Sequence, residues 1–215
     1  MKTLHGLYAI TPQTPDTEAL CRMVHASLQG GADAVQYRQK DLSETDAERQ
    51  ARALLAVCRQ FGKPLIVNDS VELALSVGAD GVHLGRDDAD PWAARARLGA
   101  DRLIGVSCYD RFDLARQFHD IADQVAFGSL FASSTKPNAV RAPLDLFAQA
   151  RAMRLNAIGI GGIDAGNADL VGAAGADAIA VIAAIFDADD ITAATRELRA
   201  AFQRGVARRA PLVSA

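Results

Sequence analysis

Short runs of apolar, often β-branched residues alternate with longer stretches rich in Ala, Leu and Arg along the whole chain, and no low-complexity linker interrupts the pattern. Short apolar runs read as buried strands and the stretches between them as crossover helices, which together specify a parallel sheet. Strands are predicted near Leu7–Thr11, Ala34–Arg38, Leu65–Asn68, Gly81–Leu84, Leu103–Ser107, Gln124–Gly128, Ala157–Ile160 and Ala178–Ile182.

A weak internal repeat marks the same frame. Gly31-Ala32-Asp33, Gly78-Ala79-Asp80 and Gly175-Ala176-Asp177 each precede a predicted strand, at separations of 47 and 97 residues. Those spacings fit two and four units of about 24 residues. A glycine after a helix takes the left-handed cap conformation and lets the chain turn into the next strand. Asp33, Asp80 and Asp177 are therefore expected to be structural, on the face away from any chemistry. Eight units without a long antiparallel excursion favour closure into a single (β/α)8 TIM barrel of the α/β class over an open doubly wound sheet. The barrel is expected over residues 1–205, with a solvated tail over 206–215. In such a barrel the functional residues lie where strands end and βα loops begin.

Charge narrows the partners. With a net charge of −3 and a pI near 5.8 the chain lacks the overall basicity of a nucleic-acid binder, so any anionic ligand has to be met by a local cluster. No run approaches the roughly 18 apolar residues that span a bilayer, and the N-terminus has no long apolar core, which points to the cytoplasm. Cys21, Cys58 and Cys108 form neither a disulfide framework nor a zinc motif.

The polar residues at predicted strand ends converge on one rim. In Gln36-Tyr37-Arg38-Gln39-Lys40, an extended backbone places Gln36, Arg38 and Lys40 on one side, although the same segment also suits an ordinary solvated loop. Ser133-Ser134-Thr135-Lys136 offers hydroxyls, backbone N–H groups and a lysine suited to a tetrahedral oxyanion. Asp69 and Asp88, 19 residues apart, could end adjacent strands and share an ion. Two carboxylates with few other ligands suit Mg2+, which completes its shell with water and substrate phosphate. Asp87 and Asp90 read instead as loop or helix-capping residues. Ile158-Gly159-Ile160-Gly161-Gly162-Ile163 lacks the spacing of a dinucleotide fingerprint, but glycines after the seventh strand and the turn at Ile182-Ala183-Ala184 can hold a phosphate through backbone N–H groups. His83 reads as a hydrogen-bonded support. No nucleophile, base and orienting acid constellation is present, so a covalent intermediate is not expected.

In order and spacing these motifs, from Leu7-Tyr8-Ala9-Ile10-Thr11 to Ile182-Ala183-Ala184-Ile185, resemble the thiamine-phosphate synthase family over nearly the whole chain. The resemblance implies a transferase that joins a pyrimidine-methyl diphosphate to a thiazole phosphate or its carboxylate, releasing pyrophosphate with Mg2+ as cofactor. It implies that Gln36, Arg38, Lys40, Asn68, Ser107 and Lys136 contact the pyrimidine and diphosphate, with Tyr37 and Gln39 in the same substrate-binding segment. Arg38, Lys40, Ser107 and Lys136 would be the catalytic set, and Asp69 and Asp88 the Mg2+ ligands. Ser133, Ser134, Thr135, Gly162, Ile182 and Ala183 would form the thiazole-phosphate pocket. The implied path passes through a pyrimidine-methyl cation captured by a ring nitrogen that has no proton to lose, which matches the missing triad.

The chain departs from the family's common pattern at Tyr37, Gln39, Arg86, Asp87, Tyr109, the Ala132-Ser133 pair, and Ala183, which stands where a serine is frequent and leaves only a backbone N–H. Two other readings use the same scaffold: a thiazole tautomerase-like barrel without diphosphate or Mg2+, and a non-catalytic sensor of phosphorylated ligands. In each, the partners are phosphorylated small molecules rather than nucleic acid or membrane, and self-association as a homo-oligomer is left open.

Overall fold

The computed structural model describes residues 3–132 and 140–209. Eight parallel strands close into a barrel in sequence order: β1 (Gly6–Ile10), β2 (Ala34–Tyr37), β3 (Leu65–Asn68), β4 (Gly81–Leu84), β5 (Leu103–Tyr109), β6 (Gln124–Phe127), β7 (Ala157–Ile160) and β8 (Ala178–Val181). The ring closes where Gly6 to Ala9 pair with Ala178 to Val181. Helices α1 (Thr17–Gln29), α2 (Glu44–Gln60), α3 (Val71–Val77), α4 (Pro91–Leu98), α5 (Phe112–Gln117), α6 (Asp145–Ala152), α7 (Ala168–Ala174), the short α8 (Ala183–Phe186) and α9 (Ile191–Ala207) surround it. The expected (β/α)8 barrel is thus the observed one.

Two apolar layers follow from the two-residue period of the strands. Tyr8, Ile10, Ala34, Ile66, Leu103, Ala126, Ile158, Ala178 and Ala180 fill the barrel interior, and Leu4 packs with them. The alternate positions, including Leu7, Val35, Val67, Val82, Val106, Phe127 and Val181, pack outward beneath the helices. Helix starts are set by side-chain caps: Asp16, Ser43, Ser70, Asp90 and Asp190 each accept from a backbone N–H in the first turn. Asp90 therefore has the capping role read from the sequence.

The repeat aspartates belong to a four-fold clamp at the N-terminal end of the barrel. Asp33, Asp80, Asp123 and Asp177 each donate a backbone N–H to the carbonyl of Leu7, Leu65, Ile104 and Ala157, respectively. The carboxylate of each returns to the N–H of that same residue, at 3.1, 2.9, 2.9 and 2.9 Å. Every odd-numbered strand is thereby fastened at two points to the entry of the next even-numbered strand. Cations complete the clamps: Lys63 and Arg199 on Asp33, Arg59 on Asp80, Arg95 on Asp123 and Arg209 on Asp177. Gly31, Gly78 and Gly175 have φ of 102°, 73° and 118°, the left-handed geometry the repeat implied. Asp123 is a fourth member that the sequence repeat did not include.

The boundary expected at 206 requires correction. Helix α9 continues to Ala207, Gly205 packs against the backbone of Asp169, and Arg208 and Arg209 pair with Asp169 and Asp177. The stretch from Arg204 to Arg209 is held by these contacts rather than forming a solvated tail, and the rest of the expected tail, 210–215, lies outside the described residues.

Candidate active site at the C-terminal rim

Strand β2 turns Gln36 into the barrel, where its amide Nε2 donates to Tyr8 Oη at 3.0 Å. Burial pushes the Tyr8 hydroxyl well above the usual phenol range, against the opposing pull of the Gln36 hydrogen bond, so this polar floor stays uncharged. Beyond β2 the backbone N–H of Arg38 donates to Thr11 Oγ1 at 2.9 Å, which ties the exit of β2 to that of β1. Lys40 then reaches across the rim, its Nζ 3.0 Å from Asp69 Oδ2.

Asp69 follows β3 with φ of 66°, an unusual conformation for a residue with a side chain. Such a residue stores about 1 to 3 kcal/mol and is characteristic of functional sites. Its N–H donates to the His83 carbonyl at 2.8 Å, so the strained residue is fixed by the neighbouring strand, β4. From the loop after β4, Asp88 turns back: its Oδ2 accepts from Gly85 N at 2.6 Å, and its carboxyl lies within hydrogen-bonding reach of Asp69. Partial burial raises the Asp88 pKa most; the Gly85 N–H opposes this, Asp69 adds to it, and Lys40 lowers it. Asp69, Asp88 and Lys40 thus lie near one another at adjacent strand ends.

Whether these oxygens fit Mg2+ can be judged from the donor set. Among the described residues no group of three or more His, Cys, Asp or Glu side chains could hold a metal. A pair of carboxylates fits an ion that keeps waters and takes phosphate oxygens, and does not fit a fully protein-ligated structural metal.

On β4, His83 points inward and its Nε2 lies 3.0 Å from Ser107 Oγ on β5. Desolvation lowers the His83 pKa to about 4, with Asp69 acting weakly in the other direction. The imidazole is therefore neutral near pH 7 and supports Ser107, where the sequence suggested loop support. Ser107 sits within β5, which runs two residues past the predicted end, to Tyr109. Tyr109 Oη accepts from Arg86 N at 3.2 Å, and the Arg86 guanidinium lies 4.8 Å from the Tyr109 ring centroid. These two departures from the family pattern contact each other and brace the loop that carries Asp88.

On the opposite side of the mouth, Gly161 and Gly162 follow β7 with φ of 98° and 65°. Asn167 Nδ2 holds the Gly162 carbonyl at 2.9 Å, and Phe131 N donates to Gly161 O at 2.9 Å. Ile182 ends the run of β8 and α8 opens at Ala183, so Gly162, Ile182 and Ala183 stand on the neighbouring strand ends β7 and β8. Asn68 occupies the inward register opposite His83. Ser133, Ser134, Thr135 and Lys136 lie outside the described residues.

Two expected site residues point elsewhere. Tyr37 is buried between the barrel and α2, its hydroxyl donating to Gln50 Oε1 at 3.0 Å, because the pleat that turns Gln36 inward turns Tyr37 outward. Gln39 faces the β1–α1 loop: its Nε2 donates to Thr14 O, and its Oε1 accepts from the backbone N–H groups of Lys40 and Asp41. Both residues brace the rim. Cys108 faces the helical layer, and burial pushes its thiol up to about 12, consistent with a bystander. Tyr8 and Thr11 contribute to the site without having been singled out; both lie in the β1 motif, whose polar side chains were the available signal.

The family described as thiamine monophosphate synthase matches residues 7–185, which run from β1 through α8 and contain every strand end described above. The chain belongs to the thiamine monophosphate synthase family. Relatives of the same family agree along almost their whole length. A thiamine-phosphate synthase of Chromobacterium violaceum is 56% identical over 196 residues, covering 91% of this chain and 95% of its own. One of Methylobacillus flagellatus is 54% identical over 200 residues, covering 93% and 96%. Among solved structures, a thiamine phosphate pyrophosphorylase from Pyrococcus furiosus superposes with a TM-score of 0.82 at 30% identity, covering 94% of this chain and 96% of its own. Family membership makes the chain a transferase by descent. Among the described residues no helix is long and apolar enough to cross a membrane.

Proposed function

We propose that the chain joins a pyrimidine-methyl diphosphate to a thiazole phosphate, or to its carboxylate, giving thiamine phosphate and pyrophosphate by a dissociative substitution assisted by Mg2+. The observation that carries this reading is the meeting of Asp69, Asp88 and Lys40 at one point of the rim, with the Lys40 ammonium 3.0 Å from Asp69. Asp69 and Asp88 would hold the ion, which when bound supplies positive charge to the departing diphosphate.

The chain's own groups would do the rest. Arg38, Lys40 and Lys136 neutralise the diphosphate, and the Ser107 hydroxyl donates to it. Gln36, oriented by Tyr8, presents its amide to the pyrimidine, with Asn68 on the adjacent strand. The backbone at Gly162, Ile182 and Ala183, together with Ser133, Ser134 and Thr135, takes the thiazole phosphate, so the two substrates enter from opposite sides of the mouth. No general base is required, because the attacking ring nitrogen carries no proton. The main task is to stabilise the leaving group and keep water from the cation.

A tautomerase-like barrel would leave the Lys40–Asp69–Asp88 cluster without a task. Asp69→Asn and Asp88→Asn variants test the point. Each is expected to lose turnover by about 100-fold or more while still binding the thiazole phosphate. Full turnover in either variant would remove the metal assignment.

A further inference from the structure

The loop that carries Asp88 leaves β4 between two residues of left-handed backbone, Asp69 after β3 with φ of 66° and Tyr109 at the end of β5 with φ of 56°. Asp69 belongs to the proposed metal pair, whereas Tyr109 has no part in the chemistry proposed above. A bulky side chain in that conformation is an outlier, and it persists only where its surroundings over-determine it. For Tyr109 they do. The β5–β6 register shifts so that Cys108 is an extra residue between the pairs Ser107–Ala126 and Tyr109–Phe127. Gly128 N then donates to the Tyr109 carbonyl at 3.0 Å. A bulge of this kind re-aims a side chain beside a functional site, and here the phenol is carried onto the loop after β4.

Two consecutive amides of that loop are fixed by side chains. Gly85 N donates to Asp88 Oδ2 at 2.6 Å, from within the loop, and Arg86 N donates to Tyr109 Oη at 3.2 Å, across to β5. The Arg86 guanidinium adds a second hold, 4.8 Å from the Tyr109 ring centroid. A Cβ at Gly85 would stand 3.0 Å from Asp88 Oδ2 and 3.7 Å from Tyr109 Oη, so carboxylate and phenol both lie against the same α-carbon. Asp69 and Asp88 repel one another when both are ionised and no cation stands between them. A loop free to relax that repulsion would have to be drawn back each time a cation binds, and the cost would come out of the affinity.

We infer that Tyr109 is a positioning residue for the Asp69–Asp88 site: anchored by the β5 bulge, its hydroxyl and ring hold the loop after β4 so that Asp88 stays turned toward Asp69 before any cation arrives. The inference rests on the metal reading of that pair and deepens it.

Tyr109→Phe removes the hydroxyl and keeps the ring on Arg86. Amide hydrogen exchange in the metal-free protein, read by 15N–1H NMR, is expected to quicken about two- to ten-fold at Arg86, as for one lost hydrogen bond, and also at Gly85, whose amide the phenol does not touch. Unchanged exchange at Gly85 would overturn the inference, because the phenol would then hold one amide and not the loop. Mn2+ alone, titrated against the protein and followed by the electron paramagnetic resonance of the free ion, is expected to bind about two- to ten-fold more weakly in Tyr109→Phe. KM for the thiazole phosphate, across the mouth, is expected to stay unchanged. In an Asp88→Asn background Tyr109→Phe is expected to weaken Mn2+ no further, since it acts through Asp88. Additive losses in that cycle, or an unmoved Mn2+ affinity in Tyr109→Phe where Asp88→Asn does weaken it, would overturn the positioning role. Mn2+ binding indifferent to Asp88→Asn itself would refute the metal reading, and the inference with it.

Discussion

Replacing Asp123 by alanine separates the end of the barrel that holds the fold from the end assigned to chemistry. Asp123 is 8% exposed, accepts from Ile104 N at 2.9 Å and pairs with Arg95. Alanine leaves the Ile104 N–H without its side-chain acceptor at the start of β5, a loss of about 1 to 3 kcal/mol. It also removes the carboxylate from an arginine whose side chain is 19% exposed. Arg95 keeps the carbonyls of Gly99, Arg102 and Ile121, so its charge is not left bare, and this second loss stands at about 1 to 2 kcal/mol. Together the variant is expected to lose about 3 kcal/mol, which for a domain of this size lowers Tm by about 6 to 12 °C. Urea denaturation followed by circular dichroism measures the first quantity. The folded fraction, assayed well below Tm, is expected to keep kcat within two-fold, since Asp123 lies at the N-terminal end. A loss below about 1 kcal/mol, or a fall in kcat at full folding, would refute the division of labour between the two ends.

Three further outcomes follow from particular residues. Tyr37→Phe removes the hydroxyl bonded to Gln50 and is expected to cost about 1 kcal/mol of stability with both KM values unchanged; a rise in KM for the pyrimidine substrate would restore Tyr37 to the site. Native protein is expected to expose Cys21 alone to a thiol-reactive disulfide reagent, with Cys58 and Cys108, both fully buried, reacting only after unfolding. The depressed pKa of His83, about 4 against an ordinary 6.5, means that the unfolded chain binds its proton first as pH falls. Its contribution is complete above pH 6.5 and is lost as pH falls to about 4. Metal-free protein is thus expected to lose about 3 kcal/mol across that window, and His83→Gln to show a flatter profile by calorimetry.

The barrel was legible because its signals are local: short apolar runs, helix caps and the three Gly-Ala-Asp turns are all properties of consecutive residues. Asp123 escaped that reading because Ile121 stands where the other three units have glycine, yet its carboxylate makes the same two-point clamp. The rim was legible as a set of strand ends but not as a set of contacts. Lys40 meeting Asp69, and His83 meeting Ser107, depend on the stagger between neighbouring strands, which no single run of sequence encodes. Tyr37 and Gln39 were assigned to the site by adjacency, whereas the pleat sends Tyr37 outward and the loop hydrogen bonds turn Gln39 toward Thr14. The stretch from 206 to 209 was misjudged for a related reason. Arg208 and Arg209 look like tail charges until the acidic groups of Asp169 and Asp177, far away in sequence, are brought beside them.

The central claim is tested most directly by incubating the protein with the pyrimidine-methyl diphosphate, the thiazole phosphate and Mg2+, with and without a chelator, and quantifying thiamine phosphate and pyrophosphate in the same samples. Equal amounts of both products, formed only with Mg2+ present, are the predicted result. Binding of both substrates by folded protein without either product would contradict it, and would make the barrel a sensor of phosphorylated ligands.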